Sequence, residues 1–164
     1  MHTAWDEFEV SENQTWDVAG KCEFLPCIES PILFEFLPAL LGDAIKLESL
    51  KGRSPKPDYG LQGLHVDTVG PVKPGEQILA NAFWILDEMS RENGATRLVP
   101  DSHKTYSVPA GNYAQPNGKH PNEIYISANP GDLLLFSAHL WHSGSRNESG
   151  TRRRVVIAQF RRRK

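Results

Sequence analysis

The chain has 164 residues, 39% of them hydrophobic and 23% charged, with a net charge of -2. That length fits one domain with a single buried core, and the near-neutral balance gives no general pull toward nucleic acid or an anionic surface. No apolar run approaches 18 residues, which argues against a membrane span, and no basic-then-apolar leader is visible, so a secretory signal is not expected. Residues 1–28 are polar and weakly patterned and are expected to be a weakly structured segment. They hold both cysteines, Cys22 and Cys27, five apart and with no second pair. Free thiols in a reducing cytoplasm are the expectation.

From residue 29 to 160 the pattern is that of one folded unit. Ile32, Leu33, Phe36, Leu37, Leu40 and Leu41 recur at helical spacing, with Pro31 at a first-turn position and Gly42 as a stop. Residues 44–50 alternate as a strand. Residues 51–60, with Gly52, Pro55, Pro57 and Gly60, read as a loop, and Gln62 to Asp67 as a short strand ended by a turn at Gly70-Pro71. Further strands are predicted over 78–86, 96–99, 123–127, 132–136, 141–143 and 155–160. Between them, Thr105 to Asn122 is rich in Gly, Pro and Asn and has no periodicity, as expected of a disordered segment or a lid over a site mouth. Many short strands with Gly/Pro turns predict a closed or sandwiched antiparallel β fold. Residues 1–60 carry 11 acids against 5 bases, whereas Arg152 to Lys164 carry 7 bases and no acid. No aromatic residue interleaves residues 161–164 to stack on bases, so they are expected to be a solvated basic tail and not a nucleic-acid surface.

The residues that carry chemistry are His65, Asp67 and His142. Two histidines and one carboxylate form the facial triad that holds a non-haem Fe(II) and leaves coordination positions open. His65 and Asp67 are two apart, so on a strand both point to one face. The 75 residues between Asp67 and His142 suit a fold that brings distant strands together. His139 competes with His142 for the third position, but being three apart they face opposite sides of a strand. Arg153 follows His142 by 11 residues, in a run of three arginines whose alternation sets Arg153 apart from Arg152 and Arg154. A buried arginine there suits a carboxylate, which it can hold through two parallel hydrogen bonds.

Four segments carry a resemblance to a known family. They are Leu64-His65-Val66-Asp67, Asn93 to Lys104 (NGATRLVPDSHK), Asn129-Pro130-Gly131-Asp132-Leu133-Leu134-Leu135-Phe136, and Trp141-His142-Ser143-Gly144-Ser145-Arg146-Asn147. With them the chain resembles the phytanoyl-CoA dioxygenase family of Fe(II)/2-oxoglutarate oxygenases. The resemblance implies a mostly β fold, a double-stranded β-helix or jelly-roll barrel with a flanking N-terminal helix, and the metal in its open mouth. It implies Fe(II) on His65, Asp67 and His142, with Asn147 selecting His142 over His139. It implies 2-oxoglutarate and O2 as co-substrates, with Arg153 on the far carboxylate of 2-oxoglutarate and Gln62 and Thr96 hydrogen-bonding to it. Asp67 favours hydroxylation of a small molecule over halogenation, for which the carboxylate would be replaced. Gly144 stands where many members have a serine, and His103 is expected to fix a turn. Members are longer before the first metal-binding strand. Two alternatives therefore stay open: a truncated, non-catalytic homologue serving as a binding module, and a jelly-roll metalloprotein with non-oxidative chemistry. Substrate identity and oligomeric state are not legible.

Overall fold

The computed structural model describes residues 15–68 and 76–163. Among these residues eight strands and two α-helices follow in chain order: β1 (Thr15–Asp17), α1 (Pro26–Glu29), α2 (Pro31–Leu41), β2 (Ile45–Arg53), β3 (Leu79–Ile85), β4 (Thr96–Leu98), β5 (Ile124–Tyr125), β6 (Leu133–Ser137), β7 (His142–Gly144) and β8 (Val155–Arg162). They form a five-stranded sheet in the order β1-β2-β8-β3-β6 and a three-stranded sheet in the order β5-β4-β7. All pairings within them are antiparallel. This is the expected double-stranded β-helix with a flanking helix.

Strand alternation divides the core in two. Ala80, Ala82, Val156, Ala158 and Phe160 face outward, and helix α2 packs on them through Leu33, Leu37 and Leu41, one apolar stripe at i, i+4, i+8. Small residues on β3 and β8 give that stripe room. The intervening residues face the other sheet, where Phe83, Ile85, Phe136 and Val155 meet Leu98 and Leu140. Trp84 belongs to the helix side and donates its Nε1–H to the Cys27 carbonyl (2.8 Å), whereas Phe83 faces inward and meets Phe136 edge-on.

Four expectations need correction. Residues 15–28, expected to be weakly structured, contain β1, a 3-10 turn at Cys22–Phe24 and the start of α1, and Val18 and Phe24 join the core. The strand predicted over 44–50 continues to Arg53, because β8 pairs with β2 along its whole length and β1 covers its other edge. Arg161 and Arg162 are not a solvated tail. They close β8, and Arg161 meets Glu48 on β2 (3.0 Å). The strand predicted over 62–67 is an extended segment that bonds alternately to 138–144: Gln62 N–H to Gly144 O, His65 to His142 in both directions, and Asp67 N–H to Ala138 O. It forms a single bridge, not a ladder, because Leu64 turns its N–H to Tyr113 O instead. The turn at Gly70-Pro71 lies outside the described residues.

The 105–122 segment is ordered. A 3-10 turn at Gly111–Ala114 lies so close to Gly63 that a Cβ on Gly63 would collide with the Ala114 carbonyl oxygen. Trp141 holds the loop start by donating to Ser107 O (2.8 Å). Cys22 and Cys27 are free thiols. Among the described residues no single helix is long and apolar enough to cross a membrane.

Candidate metal centre

His65, Asp67 and His142 converge, each offering one ligand atom within 4.8 Å of the others. His142 comes from β7, and the 62–67 segment bonded to it supplies the other two. The His142 Nε2 lies 3.3 Å from Asp67 Oδ2 and the His65 Nε2 3.7 Å from Asp67 Oδ1. The opposite ring nitrogens face backbone carbonyls: His65 Nδ1 lies 3.0 Å from Gly63 O and His142 Nδ1 2.9 Å from Leu140 O. A carbonyl only accepts, so each Nδ1 carries the proton and each Nε2 presents its lone pair inward, the tautomer a metal needs. The Phe136 ring stands edge-on against His142, 5.0 Å away.

Electrostatics fit the same role. Burial, then the neighbouring His142, lowers the His65 pKa, which keeps the imidazole neutral. Burial pushes Asp67 upward, but His142, Asn81 and His65, with both imidazoles protonated as they are at low pH, outweigh it and bring its pKa to about 2. Asn81 donates to Asp67 Oδ2 at 2.6 Å, Gln159 donates to the same oxygen at 3.3 Å, and Ser49 holds Gln159 at 2.8 Å. With Oδ2 so occupied, Oδ1 is the freer oxygen. Two neutral imidazoles and a carboxylate form a donor set that fits a divalent transition metal such as Fe(II).

A pocket opens beside the triad, lined by Arg53, Gln62, Thr96, Ser143, Gly144 and Arg153 among others. Arg153 is 1% exposed, and its Nε has no hydrogen-bond partner among the described residues. Burial first, then the Arg53 charge, holds its pKa down to about 9, with Asp87 opposing. Its neighbour Arg154 turns away to chelate Asp87, at 2.8 and 2.7 Å. Gln62 accepts the Gly144 N–H (3.2 Å) through its side chain, and Thr96 sits buried in β4 opposite Gly144. His139 is outside the group. It is buried against Ser137 and Gln77, with Nδ1 3.1 Å from Gln77 Oε1.

The sequence reading missed four residues here. Asn81 had a signal, a lone polar residue inside the apolar run 79–85. Arg53 and Gln159 were hidden by the misjudged end of β2 and by ordinary strand composition. Arg97 gave none. Buried in β4, it donates to Ser143 Oγ, to the carbonyls of Gln62, Gly118 and Pro116, and to Glu123, and so ties the 105–122 loop to the metal segment.

Comparison with known proteins agrees with this geometry. The profile of the phytanoyl-CoA dioxygenase (PhyH) family matches residues 51–155. The dioxygenase cnsJ of Penicillium expansum is 32% identical over 125 residues, covering 70% of this chain and 36% of its own length. An uncharacterized protein of Mycobacterium tuberculosis, Rv1501, is 31% identical over 106 residues, covering 65% of this chain and 37% of its own length. The chain thus spans between a quarter and a half of the length of the curated relatives it matches. Among solved structures, apo HygX from Streptomyces hygroscopicus superposes with a TM-score of 0.76 at 16% identity, covering 96% of this chain and 75% of that one. HygX with nickel, 2-oxoglutarate and hygromycin B bound gives 0.71 at 16% identity, covering 85% and 64%. With a family match that covers more than half of its residues, this chain belongs to the phytanoyl-CoA dioxygenase (PhyH) family.

Proposed function

We propose that the protein is an Fe(II)- and 2-oxoglutarate-dependent dioxygenase that hydroxylates a small organic molecule. The observation that carries this reading is the convergence of His65 Nε2, His142 Nε2 and the Asp67 carboxylate on the pocket that also holds the buried guanidinium of Arg153, whose Nε has no partner among the described residues. An isolated buried cation is costly unless an anion joins it. A dicarboxylate co-substrate removes that cost, and a non-oxidative metal site has no use for it.

In this reading His65, Asp67 and His142 hold the iron by three positions. The Gly63 and Leu140 carbonyls fix the imidazoles, and Asn81 fixes the carboxylate. Arg153 grips the far carboxylate of 2-oxoglutarate, and Gln62 and Thr96 line its wall. When bound, iron activates O2, which converts 2-oxoglutarate to succinate and CO2 and oxidises the substrate. The protein's part is position, dryness and charge. The substrate enters along a second cavity of about 640 Å³ on the outer side of the metal segment, where Val66, Val108, Pro109 and Ala114 give apolar walls beside His65. We place residues 29–160, extended by β1 and the end of β8, as the oxygenase unit, and the cytoplasm as its compartment, the latter on the free thiols.

Supplied with Fe(II), 2-oxoglutarate and O2, the chain is expected to release succinate slowly even without substrate, and His142→Ala to release none. An iron-loaded chain that leaves 2-oxoglutarate unconsumed overturns the reading.

A further inference from the structure

We propose that Arg53 is a second arginine of the co-substrate pocket, one that grips the carboxylate of 2-oxoglutarate nearest the metal while Arg153 grips the far one; this rests on the dioxygenase reading above. Arg53 ends β2 directly opposite Val155, and its side chain enters the pocket that holds the triad and Arg153. Among the described residues its guanidinium makes one hydrogen bond, from Nη2 to the Gly60 carbonyl at 3.2 Å. A guanidinium has five N–H donors, so that contact accounts for one and leaves the group able to take a carboxylate.

Gly144 makes room for it. This residue lies two positions after His142 on β7, and a Cβ on it would stand 3.0 Å from Arg53 Nη2 and 2.6 Å from the Gly60 carbonyl oxygen. The missing side chain thus lets the Arg53 head group lie against the metal-bearing strand. The Gln62 Oε1, 3.3 Å from the same point, closes the other side. Charge places Arg53 between the two ends of the pocket: it bears on His65 and Asp67 at one end and on Arg153 at the other. Two guanidinium groups repel one another in a half-closed pocket, and a dianion with a carboxylate at each end relieves both. A purely structural clamp on Gly60 would need one donor and no charge.

The test uses Mn(II)-loaded protein, which binds without turnover, and calorimetric titration with 2-oxoglutarate and with pyruvate, a 2-oxo acid that lacks the far carboxylate. Arg53→Met is expected to weaken both ligands by about 10- to 100-fold, the span of a lost charged hydrogen-bond pair. Arg153→Met weakens 2-oxoglutarate alone, and Arg53→Lys recovers part of the loss. Mn(II) affinity and melting temperature, measured in each variant, identify any that misfolds, and Arg53→Lys then carries the test by weakening pyruvate less than threefold. Unchanged binding of both acids by a folded Arg53→Met, or loss of 2-oxoglutarate with pyruvate spared, overturns the near-end role. A wild-type protein that binds Mn(II) but neither acid overturns the dioxygenase reading with it.

Discussion

Two buried arginines, Arg97 and Arg153, divide the molecule into a part built to hold and a part built to bind. They are 2% and 1% exposed, so both carry the full burden of leaving water. Arg97 is saturated: one hydroxyl, three backbone carbonyls and the Glu123 carboxylate surround it, and through them it locks the 105–122 loop onto the metal segment. Among the described residues Arg153 has no such shell, and its Nε is without a partner. The difference is one of purpose. A satisfied buried charge fixes conformation; an unsatisfied one stores an affinity that a ligand of opposite charge releases.

Substitutions should break this contrast in opposite directions. Arg97→Met takes the cationic partner from the buried Glu123 carboxylate and the side-chain donor from several carbonyls, and is expected to destabilise the fold by about 3–5 kcal/mol, read from chemical denaturation. Asn81→Leu removes the donor that steers Asp67 and should weaken metal binding by about 10- to 100-fold with little change in fold, read from competition with a chelating dye. Arg153→Met removes an uncompensated charge, so the unliganded protein should become more stable, by about 1–2 kcal/mol, while 2-oxoglutarate no longer raises its melting temperature. The smallest effect is that of pH on the metal-free chain. His65 has a folded pKa below its unfolded value of 6.5, so the unfolded chain binds more protons and stability falls as pH drops below 6.5. Asp67 adds a second loss between its unfolded value of 3.8 and its folded value of about 2. Melting curves across that range in wild type and Asp67→Asn check the sign, since the variant should lack the second stage.

The same contrast marks what the sequence could disclose. Helix α2 and the inner strands were legible because one apolar face repeats at a fixed period, and the triad because His65-Val66-Asp67 puts two ligands on one face. The arginines differed. Arg153 stood out by its distance from His142, whereas Arg97, between Thr96 and Leu98, looked like any strand residue. Its importance lies in carbonyls 19 to 35 residues away. Arg53 was hidden because Gly52 and Pro55 made 51–60 look like a loop, and pairing with β8 on one edge and β1 on the other keeps the chain extended as far as Arg53. The Gly63 and Gly118 contacts that seat the long loop are likewise set by backbone packing that no local pattern encodes.

The most direct test of the central claim is anaerobic titration of the Fe(II)-loaded protein with 2-oxoglutarate, followed by its weak visible charge-transfer band. The account predicts a saturable band in the wild type that requires His65, Asp67 and His142, and a much weaker affinity in Arg153→Met. Iron bound by the triad with no band at any 2-oxoglutarate concentration, or equal affinity in Arg153→Met, would contradict it.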